Sequence, residues 1–174
     1  MSTIRPQKLK DLEYELQLLS GADAIICQIE SWDSTKTKDQ DKFGNIVNYF
    51  KDSVYLHSRN LLNTLTNESP TEIGNIPGGI RSALYSKCKN ALERYVMHLS
   101  QARDQRGTSN IIDSVHLNEH VHGLAAEVHK CWQDWIDKTI VEVDKERLKN
   151  ILTAVNESTK NDLSKFLYLT GAQA

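Results

Sequence analysis

Two groups of residues in this 174-residue chain have the types and spacing for phosphodiester chemistry. Arg94 and His98 are four residues apart, so on a helix both side chains leave one face. A histidine there can move a proton near neutral pH, as general base or acid toward a ribose 2′-OH or a leaving oxygen. The arginine can neutralise charge developing on the phosphate. Arg103 follows five residues after His98, about 140° further round a helix of 3.6 residues per turn, so the three do not form one compact cluster. The second group is His57 and Arg59. His57 steps with Val54 and Leu61 along an apolar face, and Arg59 sits one step off it. An arginine in that position needs an anion, and either a structural carboxylate or a phosphate serves. The competing readings are structural: His57 as a core histidine with satisfied hydrogen bonds, and Arg94 with His98 as a pair flanking Tyr95.

A third pattern, His116-Leu117-Asn118-Glu119-His120, matches the His-x-x-Glu-His spacing that places two zinc ligands and a carboxylate on one helix face. His122 and His129 add to the local histidine density. A catalytic zinc needs a further ligand, and nothing singles out Glu142, Glu146 or Glu157 for that part. No metal or other cofactor is therefore assigned, and His116, Glu119 and His120 stand as alternative ligands against a reading as ordinary surface histidines.

These residues need rigid elements to hold them, and composition points to helices. The chain has 8 glycines and 3 prolines, with none of the prolines between Pro6 and Pro70 or after Pro77. A β domain needs a turn about every 8–12 residues, more than these breakers supply. Apolar residues at helical spacing predict a first helix over 6–32 (Leu9, Leu12, Leu16, Leu19, Ile26, Ile29), which Gly21 weakens without ending. A second spans 44–66, with Ile46, Phe50, Val54, His57, Leu61 and Leu65 on one face. A third spans 80–106, and a fourth runs from a cap at Asp113 or Ser114 to Lys138. Shorter segments are expected at 144–156 and 159–169. The polar stretch 33–42 reads as a loop or frayed helix start, and 67–79 as the clearest connector. The expected fold is one all-α domain over 1–174, an up-and-down bundle of four long helices with short C-terminal helices.

Net charge is -2 at pH 7, which exerts no global pull toward nucleic acid or an anionic membrane. Charge is uneven, however. The third helix carries Arg81, Lys87, Lys89, Arg94, Arg103 and Arg106 against Glu93 and Asp104, while 113–138 is acidic. Complementary neighbouring faces would explain this, and so would a local anion site. No apolar run reaches the length of a membrane span, and the first residues lack the apolar stretch of a signal peptide. Three cysteines, Cys27, Cys88 and Cys131, form neither a disulfide framework nor a zinc pattern. A reduced, cytoplasmic protein is the expectation.

The run Asn48-Tyr49-Phe50 through His57-x-Arg59-Asn60-Leu61, followed by Arg94…His98-Leu99-Ser100…Arg103, resembles a group of small bacterial helical proteins of unassigned function. It resembles more loosely the HEPN superfamily of helical bundles. The resemblance covers 46–103, about a third of the chain. It implies RNA or nucleotide binding, or metal-independent ribonuclease activity of a defence or toxin–antitoxin type, in a homodimer. Arg94 and His98 would then be catalytic, with His57, Arg59 and Arg103 binding phosphate. Active HEPN members carry a longer Arg-to-His spacing than Arg94 to His98, and no histidine follows Arg59-Asn60 within reach. The alternatives are a non-catalytic protein-interaction module, in which the same residues form a buried polar network, and a zinc-binding protein centred on His116 and His120.

Overall fold

The computed structural model describes residues 4–32, 40–66, 79–101 and 117–171. Five helices make up this part of the chain: α1 (Pro6–Ser31), α2 (Gln40–Thr66), α3 (Ala83–Gln101), α4 (Val121–Lys138) and α5 (Glu142–Thr170). There is no strand among the described residues, as the scarcity of turn formers leads one to expect.

Each helix start has a local cause. Pro6 occupies the first turn of α1, where its missing N–H is not needed. At α3, Ser82 Oγ accepts the Tyr85 N–H at 2.9 Å and satisfies one of the open donors of that helix end. Glu142 and Asp144 sit in the first turn of α5, where the helix dipole favours negative charge. Gly171 ends α5 in the left-handed region at φ 67°, which costs glycine no side-chain clash. Gly21 lies inside α1 without breaking it.

Two of the expected helix bounds differ from those observed. The C-terminal region is one helix of 29 residues rather than two short ones. The polar run around Asn156–Ser158 reads as an interruption, but it contains neither glycine nor proline, so nothing stops helix propagation. The fourth helix is interrupted just before Val121. Residues 119–120 form a turn and α4 begins at Val121 behind an N-cap at His120. The stretches 33–39, 67–78 and 102–116, with their expected loops, caps and helix ends, lie outside the described residues.

One apolar core joins all five helices. Leu9, Leu12, Leu16, Leu19 and Ile26 of α1 are buried, as are Val54, His57, Leu61 and Leu65 of α2 and Cys88, Ala91 and Leu92 of α3. Ile46, expected on the buried face, is 38% exposed. The largest buried side chains are Trp132 and Trp135, in edge-to-face contact at 5.2 Å between centroids. Each such ring buries about 150–250 Å², an upper bound of about 4–6 kcal/mol of transfer energy at 25 cal/mol per Å². Trp132 Nε1 donates to the Leu148 carbonyl at 3.3 Å, which ties α4 to α5. Trp32 stacks on Phe166 at 6.1 Å, and Phe50 meets the same ring edge-on, so the C-terminal half of α5 is seated on α1 and α2.

The second and third helices are antiparallel neighbours. Tyr95 donates to the Asp52 carboxylate, its ring packs edge-on against Tyr55 at 5.2 Å, and Tyr85 OH donates to Asn63 at 3.5 Å. As residue numbers rise along α2 they fall along α3. Among the described residues no helix is long and apolar enough to cross a membrane.

Candidate functional site

The α2 register that buries Leu61 and Leu65 also carries His57 into the seam with α1. There His57 Nδ1 lies 2.6 Å from Glu15 Oε2. Asn60 Nδ2 donates to both Glu15 oxygens, at 3.3 and 3.2 Å. Arg59 Nη1 donates to Asn60 Oδ1 at 3.3 Å and so joins the network one step further out. Burial acts to raise the Glu15 pKa, but the hydrogen bonds from His57 and Asn60 outweigh it and hold the carboxyl below its ordinary value. Arg59 Nε is buried and has no hydrogen-bond partner among the described residues.

Of the sequence candidates, His57 and Arg59 are therefore brought together, through Asn60, with a carboxylate of α1. The α2–α3 register sets Arg59 level with the part of α3 around Lys89, and Arg94 level with Tyr55. Arg94 is exposed on α3, while His57 is turned into the α1–α2 seam. The His98 backbone belongs to α3, and its side chain lies outside the described residues, as do Arg103 and His116.

Arg81, just ahead of α3, and Lys87, Lys89 and Arg94 on α3 are all exposed. Lys89 reaches Glu93 at 3.9 Å, a surface pair worth little. A cleft of about 420 Å³ at the start of α3 is lined by Thr66, Arg81, Ser82, Tyr85, Ser86 and Lys89. Burial, with Glu93 adding to it, raises the Tyr85 hydroxyl pKa, and the Arg59 charge opposes that rise. Arg59 thus acts electrostatically on a residue of this cleft.

Glu119 is exposed, and His120 Nε2 lies 3.3 Å from the ammonium of Lys87, whose positive charge would compete with a cation. Instead it is His122, two residues further on, that joins a cluster of ligand types. His122 Nδ1 is 2.6 Å from Asp23 Oδ1 and 3.5 Å from Cys27 Sγ, and its Nε2 is 2.9 Å from Glu30 Oε2. One ligand atom each from Asp23, Cys27 and His122 lies within 4.8 Å of the others. Burial pushes the Cys27 thiol up, and Asp23 and Glu30 push it further. That is the reverse of what an activated thiolate nucleophile needs. Burial pulls the His122 pKa down, but the hydrogen bonds with Glu30 and Asp23 outweigh it and raise it.

Sequence reasoning missed Asp23, Cys27 and Glu30. Their spacing of four and three residues puts them on one helix face, a legible signal. Their partner His122 is 95 residues away from Cys27, and only the fold pairs them. His129 is likewise engaged, 3.0 Å from Ser20 Oγ on α1. Comparison with known proteins found no matching family model, no matching curated protein and no matching solved structure.

Proposed function

We propose that this chain is a non-catalytic helical binding module, in which His57, Arg59, Asn60 and Glu15 form a structural polar network. The observation that carries the reading is the 2.6 Å contact of buried His57 with Glu15 across the α1–α2 seam. A phosphate-binding histidine must be open to its ligand, and His57 is instead engaged with Glu15 on a neighbouring helix. Two motifs that look catalytic in the sequence are, on this reading, a seam lock and a surface arginine. The up-and-down arrangement of the first four helices belongs to the same proposal, with α5 laid across them. The test is incubation of the purified full chain with RNA, wild type beside Arg94→Ala and His98→Ala. The expected result is no cleavage by any of the three. Cleavage by wild type that His98→Ala abolishes would overturn the reading and restore a HEPN-like ribonuclease.

A second reading is favoured by one specific observation: the buried Arg59 Nε without a partner, close to a cleft bearing Arg81 and Lys89. On this reading the chain is HEPN-like in binding RNA or a nucleotide through its phosphates, as a homodimer. Backbone phosphate contacts make such binding salt-dependent. Fluorescence anisotropy with a labelled RNA oligonucleotide, and separately with a labelled nucleotide, tests it. Affinity should fall about tenfold in Arg81→Ala with Lys89→Ala and weaken steeply with salt. Binding unchanged in that double variant would remove this reading, and light scattering on the eluting species tests the dimer.

A further inference from the structure

We propose that Asp23, Cys27 and His122 form a binding site for a divalent transition-metal ion, zinc by preference, with Glu30 orienting the histidine, and that the ion clips α1 to α4.

The ligand set is a thiol, an imidazole and a carboxylate, a mixture that suits zinc better than calcium or magnesium, which prefer oxygen alone. The ligand atoms all lie within 4.8 Å of one another, close enough to share one ion. With bonds of about 2.0–2.3 Å, ligand atoms of a tetrahedral centre sit about 3.3–3.6 Å apart. The Cys27–His122 separation of 3.5 Å already meets this. The Asp23–His122 separation of 2.6 Å has to open by less than an ångström, a rotamer adjustment for two side chains that are part exposed. The three atoms converge from two helices that are far apart in sequence, so they are not neighbours merely because one helix places them so.

A second observation, independent of that convergence, is the position of Glu30. A metal-bound imidazole almost always donates its other N–H to a carboxylate or carbonyl, which holds the ring in the required tautomer. Here Nδ1 faces Asp23 and Cys27 while Nε2 faces Glu30 at 2.9 Å. The orienting carboxylate is in place on the side of the ring away from the other ligands.

Electrostatics favour a cation here. Cys27 and Glu30 lie in the last two turns of α1, at the negative end of its dipole, and no basic residue occupies the last turn. Two carboxylates beside a thiol at such an end repel one another, and a divalent ion among them offsets that repulsion. Binding then forms bonds to Oδ of Asp23, Sγ of Cys27 and Nδ1 of His122, and releases the thiol proton and the Nδ1 proton to solvent. Three protein ligands at a part-exposed surface leave the fourth position to water. The ion's structural effect is to join α1 and α4.

The experiment is a cobalt(II) titration of the reduced, untagged full chain, followed by zinc competition and thermal melts with and without zinc. One equivalent should bind, with a thiolate-to-cobalt charge-transfer band and visible d–d bands of tetrahedral intensity. Zinc should displace it and raise Tm. Cys27→Ser should lose the charge-transfer band, and His122→Ala should lose binding and the zinc-dependent rise in Tm. Glu30→Gln should weaken binding about 10–100-fold, as loss of an orienting partner does elsewhere. Helicity by circular dichroism shows that each variant is folded, and Asp23→Asn provides a near-isosteric variant should His122→Ala unfold. The proposal is overturned if wild type shows no charge-transfer band. It also fails if Cys27→Ser keeps the band, or if His120→Ala rather than His122→Ala removes the metal. In each of these cases His122 with its two carboxylates is an ion pair and nothing more.

Discussion

His57 Nδ1 lies 2.6 Å from Glu15 Oε2, a hydrogen bond that joins α2 to α1 across 42 residues of chain. His57 also sits on the buried face of α2 between Val54 and Leu61, so a polar pair is set into an apolar seam. Such pairs are destabilised sharply when one partner is removed, because the other is left desolvated.

His57→Ala should destabilise the fold by about 1–3 kcal/mol, the cost of orphaning a part-buried polar partner. For a chain of this length that lowers Tm by about 2–4 °C per kcal/mol. The folded-state pKa of Glu15 lies below its ordinary value. Its contribution is therefore present above the unfolded value near 4.5 and is lost as pH falls through the lower folded value. Glu15→Gln should flatten the acid limb of the stability curve. An unchanged acid limb would show that the pair carries no net energy.

Two histidines should give pH dependences of opposite sign. His122 is raised above 6.5, so its contribution is full below that pH and fades as pH rises through the folded value. His129 is lowered from 6.5, chiefly by burial, with Asp23 opposing. Its contribution is full above 6.5 and is lost as pH falls, because the unfolded chain then takes up the proton first. Melts across pH 5–8 should show His122→Gln removing a loss on the alkaline side and His129→Gln removing one on the acid side.

Thiol labelling offers a third check. Cys27 is exposed, whereas Cys88 and Cys131 are buried. Burial first, then Glu127, pushes the Cys131 thiol up to about 11. In the native protein one thiol should react with a maleimide, and slowly, because Asp23 and Glu30 disfavour the thiolate. Asp23→Asn should speed that reaction severalfold, and denaturant should expose all three thiols. Rapid native labelling of Cys131 would contradict the packing described above.

The two tryptophans of α4 anchor the core. Trp132 is fully buried, meets Trp135 edge-on and donates to Leu148. Trp132→Ala should cost about 3–5 kcal/mol, the usual range for deleting a buried aromatic. Trp132→Phe keeps most of the ring but leaves the Leu148 carbonyl without this donor, and should cost less. Urea denaturation of both variants measures the difference. Equal losses would assign the energy to the hydrogen bond rather than to packing.

The all-helical class was legible from the residues alone, because apolar spacing and a shortage of glycine and proline act locally on the backbone. The buried faces of α1 and α4 follow the same logic, and Leu16, Leu124, Val128 and Trp135 lie where periodicity sets them. Weak local signals do not fix helix bounds. A polar run at 156–158 resembles a break and is only the solvent side of a continuous helix. Chemistry depended on more than periodicity. Spacing could mark His57 as a core-face residue, but which anion it meets depends on how α1 lies against α2, and the partner is Glu15. The His116-x-x-Glu119-His120 pattern ends two residues before His122, whose own partners no local spacing announces. His122 meets Asp23, Cys27 and Glu30 because α4 packs on α1, and contacts between residues 95 apart depend on helix packing rather than on any local pattern. Sequence determines which face each helix buries, since that is a property of a few consecutive turns. Tertiary structure decides which polar groups share a seam, since that is settled by the packing of whole helices against one another.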